Sequence, residues 1–96
     1  MSKKPVENLK KAIETFEERN KVYGDNYLTH GEVMKALFRE PVNLATLKEY
    51  NRFGIINMMV AKLTRYCNSW PQSHQDSIHD LGVYAFMLEA LDDDSI

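Results

Sequence analysis

Apolar residues recur along this chain with helical spacing. Leu9, Ile13, Phe16 and Tyr23, with Asn20 between them, fall three or four positions apart. That period marks one face of a helix and predicts a first helix from Pro5 to Val22 with a buried stripe. Pro5 suits a first turn, where its missing N–H has no partner to lose. Gly24, in the run Tyr23-Gly24-Asp25-Asn26, supplies the left-handed residue at which helices stop. Val33, Met34, Leu37 and Phe38 mark a second helix. It is expected to begin at Thr29, where T-H-G-E has the form of a capping box, and to end at Pro41. The same signal in T-L-K-E, Thr46 with Glu49, opens a third helix reaching about Asn68. After a turn at Ser69, Trp70 and Pro71, a fourth helix is expected from near Ser73, with Asp76 as its acidic partner and Ile78, Leu81, Ala85, Leu88 and Leu91 as its stripe. No stretch alternates with period two for long enough to make a strand. The predicted class is all-α, a small bundle of about four helices with the third and fourth forming an antiparallel hairpin.

One segment departs from the amphipathic pattern. From Phe53 to Ala61 the chain reads F-G-I-I-N-M-M-V-A, apolar on almost every side. A helix without a polar face must be covered all round. Two arrangements do this: a partner chain, or a central position among the chain's own helices. Ninety-six residues make a single domain, 1–96, ending in an acidic tail at 92–96. A domain so small buries only about 60–65% of the surface its unfolded chain exposes. A homo-oligomer, with an interface around Phe53, Ile56, Met59 and Val60, is therefore the expectation.

Charge narrows the partners. The formal net charge is −2, without the basic excess of a duplex-binding protein. Lys3, Lys4, Lys10 and Lys11 are balanced by Glu7, Glu14, Glu17 and Glu18, as on a solvated helix face. The single Cys67 rules out an internal disulfide and fits a reducing compartment. The polar start M-S-K-K-P is no signal peptide, and the apolar run falls short of the ~20 residues that span a bilayer. A cytoplasmic protein with no membrane partner is expected.

Three polar groups could carry chemistry. Arg19, Tyr23 and Gly24 close the first helix. Lys62 and Arg65, three apart and so on one face, lie late in the third. His74, Asp76, His79, Asp80 and Tyr84 open the fourth, with Asp76, Asp80 and Tyr84 aligned at i, i+4 and i+8. The short turn at Trp70-Pro71 brings the last two groups together. In one reading, Lys62 and Arg65 meet phosphate oxygens, Arg65 through its planar fork. The N–H groups at the start of the fourth helix assist, and Tyr23 or Trp70 stacks on a base. In the other, Arg65 with Asp76 and Lys62 with Asp80 are ion pairs that fix helix register, favoured by the helix dipoles without any ligand.

Asp76, His79 and Asp80 on one turn, with His74 nearby, have donor types that metals use. The His79-Asp80 dipeptide is similar to that of the HD phosphohydrolases, but only His30 could supply a further ligand. Glu14, Glu17 and Glu18 resemble the acidic helix of MazG-type pyrophosphohydrolases, which hold Mg²⁺ with E-x-x-E followed by E-x-x-D. Here Asp76 and Asp80 are one residue too far apart for the second motif. No Ser or Cys nucleophile stands with a base. Neither a metal nor any other cofactor, nor a catalytic residue, is assigned.

Taken together, R-x3-Y-G (Arg19, Tyr23, Gly24), K-x2-R (Lys62, Arg65) and H-x-D-S-x3-D-x3-Y (His74, Asp76, Ser77, Asp80, Tyr84) resemble a family of small phage and prophage proteins of undefined function. The likeness spans roughly residues 15 to 90. That family looks related to a phage domain associated with nucleotide modification, and distantly to the MazG-like helical fold. The resemblance implies an oligomeric helical protein of a bacterial host's cytoplasm that handles a nucleotide-derived small molecule. By analogy of size and source, it would sequester an immune signalling nucleotide uncleaved. Arg19, Tyr23, Lys62, Arg65, His74, Asp76, Asp80 and Tyr84 are then the ligand-binding candidates. The alternatives are a structural or interaction module, or a MazG-like pyrophosphohydrolase.

Overall fold

The computed structural model describes residues 3–24 and 26–93. It is all-α: α1 (Lys4–Tyr23), α2 (Asn26–Leu37), α3 (Leu47–Asn68) and α4 (Gln75–Asp92), with no strand among the described residues.

The α3–α4 hairpin is the centre of the molecule and its most extensive helix pairing. Two ion pairs give its register. Arg52 Nε lies 3.0 Å from Asp92 Oδ1, and Lys62 Nζ lies 3.2 Å from Asp80 Oδ2. Moving ten residues forward on α3 moves twelve back on α4, so the helices run antiparallel, as the short turn between them requires. Among the described residues, the three buried deepest, Val60, Thr64 and Ser77, all lie on this pair. Two of them are small and polar. Small side chains let helix backbones approach closely, and Thr64 satisfies its hydroxyl locally by donating to Ala61 O at 2.9 Å. Val60, at 5% exposed, is the only hydrophobic residue fully buried among those described. Apart from Val60, the apolar run from Phe53 is half-buried or, at Gly54 and Met58, exposed. Of the residues expected at an interface, Val60 is covered by its own chain, while Phe53, Ile56 and Met59 are half-buried.

The α3 start follows the sequence signal. Glu49 N donates to Thr46 Oγ1 at 3.1 Å, while the Glu49 carboxylate accepts from Thr46 N at 3.0 Å and from the Thr46 hydroxyl at 2.9 Å. Ala45 N also points to it at 3.4 Å. Backbone and side-chain hydrogen bonds from Thr46 hold the Glu49 carboxyl below its ordinary 4.5, with Ala45 N–H and the Arg52 charge adding to the effect.

The α2 start does not follow its signal. Thr29 and Glu32 lie inside the helix, which begins at Asn26. The cause is tertiary: Tyr27 stacks edge-on against Phe16 of α1, with centroids 6.1 Å apart, so the chain is already helical before the box. At its other end α2 stops at Leu37, and Phe38 packs on Phe53 at 5.5 Å. α4 begins at Gln75 with His74 at the cap position and no side-chain cap, two residues later than Ser73 suggests. It runs to Asp92; residues 94–96 of the acidic tail lie outside the described residues.

α1 differs most from expectation. Its boundaries fall as the pattern indicates, but the stripe is not buried: Leu9 is 63% exposed, Ile13 52% and Phe16 52%. α1 touches α3 only sparsely. The chain therefore has a radius of gyration of 17.1 Å, where a compact domain of this length has about 13 Å.

Thr46→Ala removes one hydroxyl from the α3 cap and should lower stability by about 1 kcal/mol, visible in thermal melts followed by circular dichroism. Because folding depresses the Glu49 pKa, its stabilisation is present above the unfolded value and is lost as pH falls through the folded one. Glu49→Gln should therefore lower the melting temperature at pH 7 and leave a smaller drop between pH 5 and pH 3 than the parent shows. Identical pH dependence in both proteins would remove the cap from this account.

Candidate functional site

Gly24 fixes the geometry at one end of the bundle. Its φ of 61° and ψ of −150° lie in a region that is essentially glycine's alone. A Cβ added there would sit 3.6 Å from Asn68 Nδ2. The close of α1 thus abuts the close of α3, and Arg19, Asn20 and Gly24 come to the same end as Thr64 and Arg65. Arg19, Gly24 and Arg65 belong to the motifs read in the sequence, and the fold brings them to one end of the bundle.

Two clefts open at this end, with Tyr27 between them. The first, of 640 Å³, lies between α1 and the start of α2; Lys11, Thr15, Phe16, Arg19, Asn20 and Tyr27 contribute to its wall. The second, of 510 Å³, lies between α2 and α3 and is walled by Tyr27, His30, Gly31, Ala61, Thr64 and Arg65. Tyr27 is 65% exposed. Among the described residues, no acidic side chain lines either cleft, although the protein as a whole carries net charge −2. Each cleft has one arginine, and the first has Lys11 as well. The second has a fixed wall: a His30 Nε2 to Asn57 Oδ1 hydrogen bond of 2.9 Å ties α2 to α3, and Asn57 Nδ2 donates to Phe53 O at 3.1 Å.

The remaining candidates divide. Lys62 is committed to Asp80, and its side chain is only 14% exposed against 44% for that of Asp80. This contact is the one that the register reading named. Continued along the hairpin, the same register sets Arg65 opposite the first turn of α4, near Ser77. His74 is half-buried at the α4 cap position, Asp76 is exposed and Tyr84 half-buried. Tyr23 ends α1, and its side chain lies outside the described residues. Trp70, 73% exposed at the turn, lines neither cleft. Among the described residues, no three His, Cys, Asp or Glu side chains gather closely enough to hold a metal ion. Glu14, Glu17 and Glu18 all face outward on α1.

Tyr27 and Thr64 went unnoticed in the sequence, and His30 stood out only as a candidate metal ligand. Each is a single polar or aromatic residue on a helix, outside any spaced motif. The one available signal was the exposed position of Tyr27 just after the α1 stop.

No protein-family model matches this chain, and no curated protein or solved structure matches it either. No helix among the described residues is long and apolar enough to cross a membrane.

The two hairpin ion pairs differ in burial and so in strength. Exposed pairs contribute roughly 0–1 kcal/mol, and Arg52–Asp92, with side chains 47% and 56% exposed, belongs there. Lys62 is largely covered, and removing its charge strands Asp80 beside a desolvated wall. Double-mutant cycles with Lys62→Met and Asp80→Asn, and with Arg52→Met and Asp92→Asn, should give coupling of about 1 kcal/mol for the first pair and under about 0.3 for the second. Equal couplings would show that Lys62 does not hold the register.

Proposed function

We propose that this protein binds a nucleotide-derived small molecule at the end of the bundle where α1, α2 and α3 meet, and holds it without cleaving it. The observation that carries this reading is the pair of clefts flanking Tyr27, each furnished with an arginine and, among the described residues, neither with an acid, on a protein of net negative charge. Such a wall selects an anion. The exposed Tyr27 ring offers a face for a base, and the guanidinium forks of Arg19 and Arg65 suit phosphate oxygens. Both volumes lie within the range of small-molecule sites, about 300–1,000 Å³. His30 and Thr64 add hydrogen-bonding groups on the α3 side. Lys62, His74, Asp76, Asp80 and Tyr84 then act behind the site, holding the hairpin that presents Arg65. The resemblance to small phage proteins supports the same reading. It extends it to a homo-oligomer acting in a bacterial cytoplasm as a sink for a nucleotide signal.

A second reading has a specific observation in its favour. The Lys62–Asp80 contact is the register-fixing ion pair of a purely structural or interaction module. The two readings separate experimentally. Purified protein is titrated with nucleoside mono- and triphosphates and with cyclic dinucleotides by calorimetry, and the bound species is then recovered by heat and weighed by mass spectrometry. The expected result is stoichiometric binding of one of them and its recovery unchanged. A charge-assisted hydrogen bond contributes roughly 1.5–3 kcal/mol, so Arg65→Ala should weaken binding about tenfold to a hundredfold. Arg19→Ala should act in the same direction. Release of a cleaved product in excess of protein would convert the reading to catalysis. No binding by any of these nucleotides, with Arg65→Ala lowering only the melting temperature, would leave the structural module.

A further inference from the structure

The stripe of α1 is a helix face without a partner. Val6, Leu9, Ile13 and Phe16 are 55%, 63%, 52% and 52% exposed, on a helix that scarcely packs on its own body. A folded monomer of 11.2 kDa exposes about 5,700 Å²; this chain exposes 7948 Å². The excess, roughly 2,200 Å², is well above the ~800 Å² that one partner contributes to a standard interface, and has the size of an obligate one.

We infer that a second copy of this chain covers the α1 stripe, the two helices lying antiparallel across a two-fold axis near Ile13. The charges of α1 identify the occupant. Its first half carries Lys4, Lys10 and Lys11 with Glu7, net +2, and its second half Glu14, Glu17 and Glu18 with Arg19 and Lys21, net −1. Two copies set head to tail place each net-positive half against a net-negative half, so the surface is complementary to itself, as a two-fold contact demands. A lipid surface is a poorer match, because helices that lie on membranes carry a predominantly basic polar face. The pairing also reaches the ligand site. Phe16 belongs both to the stripe and to the wall of the cleft holding Arg19 and Tyr27, so the second copy closes that cleft on its open side. This last point rests on the nucleotide reading; the pairing itself does not.

The test is sedimentation or light scattering over a range from about 0.1 to 100 micromolar, with nucleotide binding measured separately on the same samples. The parent chain should have at least twice the mass of one chain. Ile13→Glu should raise the dissociation constant roughly thirtyfold or more, the loss expected at a central interface anchor. Ile13→Ala should shift it in the same direction by less, and Lys35→Glu, on exposed α2 surface, should not. Far-UV circular dichroism checks that Ile13→Glu stays helical; if it does not, Ile13→Ala alone decides. A monomeric parent at 100 micromolar, or an oligomer indifferent to both Ile13 changes, overturns the inference. An oligomer that binds no nucleotide leaves the pairing standing and removes the function proposed above. A monomer that binds through Arg65 does the reverse. If both hold, Ile13→Glu should weaken nucleotide binding about tenfold, through the cleft left open.

Discussion

Everything else in this molecule is arranged on the close antiparallel approach of α3 and α4. Val60, Thr64 and Ser77 are the deepest of the described residues, and two of the three contribute little hydrophobic area. The seam is stable because small side chains let two helices meet along their length, gaining dispersion contacts that individually amount to only ~0.1–0.2 kcal/mol. Its register is then pinned by the Lys62–Asp80 and Arg52–Asp92 pairs. α2 leans on this hairpin through Phe38–Phe53 and His30–Asn57. α1 is joined through Gly24, Phe16–Tyr27 and little else. Dependence thus decreases outward from the hairpin, and the clefts lie where it is weakest.

The sequence announced the elements well and their neighbours poorly. The number of helices, the Gly24 stop and the Thr46–Glu49 cap all depend on residues within four positions of one another, so a linear string contains what is needed. The start of α2 does not. Its capping box is present in the letters but unused, because the Phe16–Tyr27 contact pulls the helix upstream. The run from Phe53 to Ala61 and the stripe of α1 show the same limit in opposite directions. Apolar periodicity says that a face needs cover and is silent on what provides it. The run is half-covered from within the chain, with Val60 alone of its residues buried, while the α1 stripe, with its ordinary core pattern, is left open.

The site was legible in part for a similar reason. Arg19 and Arg65 stood out as motif members, and Gly24 against Asn68 brings their helix ends together. Lys62 and Asp80 could be read either as ligand contacts or as a pair, since opposite charges across a hairpin look alike in both cases; the distance between them decides for the pair. Tyr27, His30 and Thr64 gain meaning only from the surfaces that α2 and α3 present to each other, which no spacing along one strand of sequence records.

The bond between His30 and Asn57 has one more consequence. Because the Asn57 amide nitrogen is given to Phe53 O, its oxygen must face His30, so the histidine's Nε2 has to carry the hydrogen. The joint between α2 and α3 therefore has a sense: α2 supplies the donor and α3 the acceptor, and the wall of the cleft beside Arg65 is set by a bond that cannot be reversed without also freeing Phe53 O.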